Sequence, residues 1–369
     1  MTTDNLGGVW TYSLELSRAL GEQGVEVHLA VMGSPVTEQQ LTQADRIDRL
    51  TLHAGNYRLE WADDPWGDVD RAGDWLLQLE RQCAADVIHL NGYAHGSLPW
   101  RGPVLAVGHS CVLSWWEAVK GEPAPDRWAE YRRRVRDGLQ AVDAVVAPTA
   151  AMLGELQRHY GPLTNTRVIP NCRRPGPFQP RWKERIVFSA GRLWDEAKNL
   201  AGLQEIAGQL SWPVFVAGEG ADTTDALTWL GWLPPEKMVR WLGRSAVYAH
   251  PARYEPFGLA PLEAGLSGCA LVLGDIPSLH EVWADAAVYA APDDPQDLAA
   301  QIRRLQEDDS LRREMARRAR RRALRYAPAM TAGRYMAVYR SLLSAGDGSY
   351  VSQIPAASKL HETSDSERR

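Results

Sequence analysis

Short apolar runs alternate along this chain with longer stretches in which apolar positions recur every three or four residues. That is the rhythm of parallel strands joined by crossover helices. The runs Val25 to Val31, Asp86 to Leu90, Val104 to Val107, Ala144 to Ala147 and Arg167 to Ile169 predict the strands of one sheet. A second set follows at Ile186 to Ser189, Pro213 to Ala217, Ala246 to His250, Ala270 to Leu273 and Ala286 to Ala290. Between them, Pro170 through Trp182 carries Pro170, Pro175, Pro177 and Pro180 without a helical period, as a linker would. Asp294-Pro295-Gln296-Asp297 has the composition of a helix start, so its acids are expected to cap rather than catalyse. In Met330 to Leu343, the residues Tyr335, Val338, Tyr339 and Leu342 form one helical stripe, and beyond Ser344 the Ser, Gly and charge content predicts disorder.

Composition narrows the class. A chain of 369 residues exceeds what one core usually supports, and 45% hydrophobic with 24% charged residues is globular. A net charge of −5 argues against a general nucleic-acid binder, which needs a basic surface to neutralise phosphates. Cys83, Cys111, Cys172 and Cys269 are widely spaced, with neither zinc-type CxxC nor a disulfide-dense pattern, so reduced thiols and a cytoplasmic setting are expected. No apolar run approaches the roughly 20 residues of a membrane span, and no charged-then-apolar leader is visible.

The densest chemistry lies in Tyr254-Glu255-Pro256-Phe257-Gly258-Leu259-Ala260-Pro261-Leu262-Glu263-Ala264. Pro256 keeps Glu255 out of a helix, and Gly258 lets backbone approach a ligand. A helix then starts near Leu259, where free N–H groups and the positive dipole end favour a phosphate. Glu263 falls one turn in. Arg192 and Lys198 occur in Gly191-Arg192-Leu193-Trp194-Asp195-Glu196-Ala197-Lys198-Asn199, directly after a predicted strand. Asn5-Leu6-Gly7-Gly8-Val9 opens the first helix, and His109-Ser110 follows the strand Val104 to Val107.

Taken together and in this order, these segments resemble the family-4 retaining glycosyltransferases over roughly residues 2 to 343. The resemblance implies an α/β chain in the GT-B fold, two Rossmann-like parallel-sheet domains facing across a cleft. The corresponding division is an N-terminal acceptor-side domain over 1–172, a linker over 173–182 and a nucleotide-sugar domain over 183–328. A helix over 329–343 crosses back onto the first domain, and 344–369 is a disordered tail. By the same resemblance, Arg192 and Lys198 hold the donor diphosphate and Glu263 the ribose hydroxyls. Glu255, with the amides of Phe257, Gly258 and Leu259, holds the transferred hexose. Gly7 and Gly8 present backbone N–H groups to phosphate or acceptor, and His109 stands at the active-site histidine position. The expected activity is transfer of a hexose from a nucleotide-diphosphate sugar to a saccharide or lipid-linked acceptor, in polysaccharide or glycoconjugate assembly. The sugar nucleotide is a co-substrate and no cofactor is expected. No metal is required either, because Arg, Lys and helix dipoles meet the diphosphate charge. Base recognition is expected around Gly218, Gly231, Trp232 and Leu233.

Several segments have plainer readings. Asp68-Val69-Asp70 mimics the Asp-x-Asp metal motif of another glycosyltransferase fold but reads as a solvated helix start. Trp115-Trp116 suits core packing or an acceptor-stacking surface. The arginines at 132, 133, 134 and 136, and those from Arg312 to Arg325, read as solvated helix faces. The resemblance leaves open an attachment of the first group to an anionic membrane at the inner face of the cytoplasmic membrane.

One departure stands out. The family begins with a strand before the glycine loop, whereas Met1-Thr2-Thr3-Asp4-Asn5 has no apolar run, so the first strand reads as missing. Each buried aliphatic side chain contributes about 1.5–3 kcal/mol against a total stability of about 5–15 kcal/mol. The expectation is therefore that Met1 is an internal methionine of a longer product, to be checked by mass spectrometry of the native amino terminus. The rival this suggests is a sugar-nucleotide-binding protein without transferase activity. Glu255→Ala would separate the two, since only a transferase has turnover to lose. A nicotinamide dehydrogenase is disfavoured, because no strand leads into a complete G-x-G-x-x-G.

Overall fold

The computed structural model describes residues 1–192, 194–218 and 227–345, so Leu193 of the Gly-Arg-Leu segment and most of the expected tail lie outside it. The first part of the chain runs β1 (Thr2–Asp4), α1 (Gly8–Gly21), β2 (Val27–Met32), α2 (Glu38–Asp45), β3 (Leu50–Ala54), α3 (Trp66–Cys83), β4 (Ile88–Leu90), β5 (Val104–Val107), α4 (Val112–Lys120), α5 (Ala129–Ala141), β6 (Ala144–Ala147), α6 (Ala150–Tyr160) and β7 (Thr166–Val168). The second runs β8 (Glu184–Ala190), α7 (Leu200–Ile206), β9 (Val214–Ala217), β10 (Thr228–Trp229), α8 (Pro235–Arg244), β11 (Ser245–His250), α9 (Leu259–Leu266), β12 (Ala270–Gly274), α10 (Pro277–Trp283), β13 (Val288–Ala290), α11 (Pro295–Glu307), α12 (Asp309–Ala323) and α13 (Pro328–Ala345).

All the strand pairs are parallel, and the second sheet has the order β10-β9-β8-β11-β12-β13. Its order reverses at β8/β11, the switch point where such sheets open a crevice at the carboxyl ends of their strands. The first part forms β3-β2-β1 and β4-β5-β6-β7. Asn91, just after β4, joins them: its backbone N–H donates to Thr2 Oγ1 at 2.9 Å and its side-chain amide to the Thr2 carbonyl at 2.8 Å. The two parts are Rossmann-like domains with separate apolar cores.

The first strand is therefore short rather than missing. Thr2, Thr3 and Asp4 pair with Ala30, Val31 and Met32 of β2. Thr2 and Thr3 are buried, yet neither is aliphatic. Their hydroxyls are satisfied locally, Thr3 Oγ1 accepting from Ser13 Oγ at 2.9 Å, which makes burial tolerable. The apolar-run criterion could not detect such a strand.

Asp294 accepts from the N–H groups of Gln296 and Asp297, capping α11. In α13, Tyr335, Met336, Val338, Tyr339 and Leu342 pack in one cluster with Tyr12, Leu16, Leu105 and Val146 of the first domain. No described helix is long and apolar enough to cross a membrane.

Candidate active site

The carboxyl ends of β8, β9 and β11 assemble the first wall. Gly191 and Gly218, at the ends of β8 and β9, press backbone against backbone. A Cβ on Gly218, where φ is +152°, would stand 1.8 Å from the Gly191 carbonyl oxygen. The chain then passes through Arg192 to Lys198, whose Nζ donates to Glu255 Oε2 at 2.8 Å. His250 Nε2, at the end of β11, lies 3.1 Å from the same oxygen. Burial would push the Glu255 carboxyl up, but Lys198 and His250 outweigh it and hold it well below the usual carboxylate range. Glu255 is thus an anion kept charged in a nearly closed site.

The segment after it turns at Gly258, whose φ of 91° makes it the left-handed N-cap of α9. A side chain there would also crowd Pro261 Cγ, 3.1 Å from a built Cβ. The Phe257 ring is buried and meets Tyr326 edge-on at 5.4 Å, so only its backbone is available to a ligand. Leu259 opens α9, and Glu263 lies one turn in. Glu263 Oε1 accepts from Arg173 Nε at 2.6 Å, while Arg173 Nη1 donates to Glu15 Oε1 on α1, also at 2.6 Å. One linker guanidinium therefore clasps a carboxylate from each domain.

The opposing wall comes from the first domain. Gly7, with φ +64°, is the N-cap of α1. A Cβ on Gly7 would lie 3.6 Å from Arg192 Nη1, and one on Gly8 would lie 3.7 Å from Leu259 Cδ1. The glycine loop thus faces Arg192 and Leu259 at van der Waals range, where a side chain would occupy the gap. Arg192 donates to Asp195 Oδ2 at 3.0 Å and lies 4.7 Å over the Trp194 ring. Burial raises the Asp4 carboxyl to about 6, against the opposing pull of the Leu6 N–H and Arg192.

His109 sits beyond β5 with Nε2 2.8 Å from Asn91 Oδ1. Asn91 spends its amide N–H on the Thr2 carbonyl, so Oδ1 is the acceptor and His109 carries its proton on Nε2. Burial lowers the His109 imidazole to about 3, leaving it neutral. The network continues inward: His89 Nε2 is 3.2 Å from Asn91 Oδ1, and His89 Nδ1 is 2.7 Å from Tyr339 Oη of α13.

Further bonds join the walls. The Cys111 N–H donates to Tyr254 Oη at 3.0 Å, Thr149 Oγ1 to the Pro256 carbonyl at 2.9 Å, and Trp115 Nε1 to Asp195 Oδ1 at 3.1 Å. Glu281 of α10 accepts from the Ala150 and Ala151 N–H groups at 2.7 and 3.0 Å, capping α6 from the other domain.

The geometry thus joins Lys198 to Glu255, and sets Gly7 and Gly8 against Arg192 and Leu259. Glu263 is instead held by Arg173, and His109 by Asn91. Arg173, Asn91, His250 and Asp195 are the site residues that sequence reasoning passed over. Asp195 lay unassigned within the Gly191 to Asn199 segment, His250 at the end of a predicted strand, and Arg173 in an Arg173-Arg174 pair inside the proline-rich break, whereas Asn91 left no trace. Trp115 lies at the domain junction, while Trp116 packs against the first-domain core beneath Arg127. Asp68 occupies the first turn of α3 and accepts from the Arg58 N–H at 3.1 Å, and Asp70 pairs with Arg134. Arg133 and Arg136 also pair, with Glu130 and Asp137. The Gly218 N–H donates to the Gly231 carbonyl at 3.0 Å, and Trp232, next to Gly231, is 56% exposed.

Comparison with known proteins agrees with this architecture. Residues 6–174 match the model of Glycosyltransferase Family 4, and residues 177–322 that of Glycosyl transferases group 1. The chain is 28% identical over 367 residues to a glycogen synthase of Mycobacterium tuberculosis, covering 86% of each. It is 23% identical over 395 residues to a D-inositol 3-phosphate glycosyltransferase of a Nocardioides species, covering 92% of this chain and 86% of the relative. Among solved structures, Anabaena HepE in complex with UDP-glucose superposes with a TM-score of 0.75 at 15% identity, covering 92% of this chain and 99% of HepE.

Proposed function

The chain belongs to the family-4, group 1 glycosyltransferases, and from that premise we propose that it transfers a hexose from a nucleotide-diphosphate sugar to a saccharide or lipid-linked acceptor with retention at the anomeric carbon. The observation that carries this reading is the Lys198–Glu255 pair, 2.8 Å apart, with Glu255 three residues before the Gly258 cap of α9. A paired cation and anion stand close to the start of α9, whose first N–H groups favour a phosphate, and departure of a diphosphate from a sugar requires such a combination.

In this proposal the diphosphate draws Lys198 from Glu255 and engages Arg192 and the first amides of α9. Glu255 then accepts hexose hydroxyls, and Glu263 the ribose hydroxyls, by charge-assisted hydrogen bonds. The neutral His109 presents its unprotonated Nδ1 to a hexose hydroxyl. The bond from C1 to the phosphate oxygen breaks with its electron pair leaving on the diphosphate. The acceptor oxygen bonds to C1 on the same face, and its proton passes to the departing phosphate oxygen. That HepE has been crystallised with UDP and with UDP-glucose makes UDP the first nucleotide to try.

Titration with UDP, GDP and ADP, followed by heat and by thermal shift, tests the donor half. A nucleotide at 100 times its Kd stabilises by about 2.7 kcal/mol. One of the three should bind, and Glu263→Ala should abolish its shift. Binding of none of them would remove the proposal, and an inverted anomer by NMR of the product would remove retention.

A further inference from the structure

Away from the cleft, three metal-ligating side chains from three elements meet on one face of the first sheet. β2 and β3 pair with Thr51 opposite His28 and His53 opposite Ala30, so His28 and His53 share a face one step apart. His28 Nδ1 lies 3.1 Å from His53 Nε2. Cys83, the last residue of α3, brings its sulfur to the same point, and the three potential ligand atoms lie within 4.8 Å of one another. All three residues are half-buried, and they line a cavity of about 50 Å³ together with Ala30, Leu76 and Leu79.

We propose that His28, His53 and Cys83 bind a zinc ion that ties the carboxyl end of α3 to the β2–β3 edge. Tetrahedral zinc, with bonds of about 2.0–2.1 Å to nitrogen and about 2.3 Å to sulfur, sets its ligand atoms roughly 3.3–3.6 Å apart. The observed spacing needs only side-chain adjustment to meet that. Two imidazoles and a thiolate suit zinc, whereas magnesium and calcium take oxygen ligands. The carbonyls ending α3 point the negative end of its dipole at the site, opposing the charge of the Met1 amino group, which lines the same cavity and donates to the His28 carbonyl at 2.8 Å. The cavity leaves space for a water as fourth ligand, a molecule that occupies about 30 Å³ in the liquid. Glu80, one turn before Cys83, does not compete, since its carboxylate accepts from the Arg101 and Gly102 N–H groups at 2.7 and 3.1 Å. Cys83 is also the one cysteine not buried. On binding, its thiol releases a proton to solvent and the imidazoles bind as neutral ligands. His28 stands near the amino end of β2, whereas the cleft opens at the carboxyl ends of the strands, so the ion would serve structure rather than transfer.

The test is titration of the chelator-treated full chain with Co²⁺ and then Zn²⁺. One equivalent of Co²⁺ should produce tetrahedral visible absorption with a thiolate-to-metal charge-transfer band, and Zn²⁺ should bleach both. Cys83→Ser should remove the charge-transfer band, and His53→Ala should weaken Co²⁺ binding about tenfold or more, with circular dichroism confirming that both variants fold. Zinc should raise the melting temperature of the unsubstituted chain but of neither variant. No charge-transfer band, or a band that survives Cys83→Ser, would overturn the proposal. Should Cys83→Ser not fold, unchanged Co²⁺ affinity in His53→Ala would overturn it alone.

Discussion

Glu255 keeps its charge among buried neighbours because Lys198 and His250 share one of its oxygens. Lys198→Met should therefore do more than remove a donor contact. It leaves a carboxylate with one imidazole for company, and breaking a buried pair in this way costs about 3–5 kcal/mol. Urea denaturation should show that loss, turnover should fall at least about a hundredfold, and adding Glu255→Gln should return much of the stability but not the activity. Since the folded carboxyl titrates below its ordinary value of 4.5, the stabilisation is complete above that pH and fades only as acid drives the folded group to protonate. His109 contributes with the same sign in a higher pH window. Its folded value of about 3 lies below the ordinary 6.5, so between those values the unfolded chain binds the extra proton and stability falls as the pH falls. The rate profile should then carry no His109 inflection between pH 5 and 8. An inflection in that range that disappears in His109→Ala would contradict the neutral, hydrogen-bonding role.

At the scale of elements, the junction of β8 and β9 is the least forgiving place. Gly218→Ala would drive a methyl group into the Gly191 carbonyl, and we expect a loss of about 2 kcal/mol or more, measurable as a lowered melting midpoint. Strands buried on both faces were the legible ones. Val104 to Val107 and Ala144 to Ala147 coincide with β5 and β6, and the runs of the second sheet differ from β8, β9, β11, β12 and β13 by at most two residues at either end. β3 escaped because Leu50–Ala54 is an edge strand whose Thr and His alternate with Leu and leave no apolar run. β10 has only two residues. In the site, contiguous motifs were visible, as with Glu255, Gly258 and Glu263. Asn91, His250 and Arg173 were not, because each acts through a partner 5 to 158 positions away in sequence.

At the scale of the whole molecule, the two domains are joined by polar contacts at the mouth of the cleft and by α13, which packs into the core of the first domain. Arg173 is the most exposed to test, since its planar fork reaches Glu15 and Glu263 at once and a lysine cannot. Arg173→Lys should uncouple the domains, resolving a second, lower transition in calorimetry that the unsubstituted chain should not show. A single unshifted transition would show the clasp to be inert. The first domain carries a comparable division within itself. Its two half-sheets meet where β1 offers hydroxyls and Asn91 an amide, and the same amide sets the tautomer of His109. A seam stitched by hydrogen bonds unzips at lower cost than an aliphatic ladder. Breathing of the domain along it would tilt the imidazole each time, so on the proposed reading the quietness of this small polar strand sets how often His109 is correctly aimed.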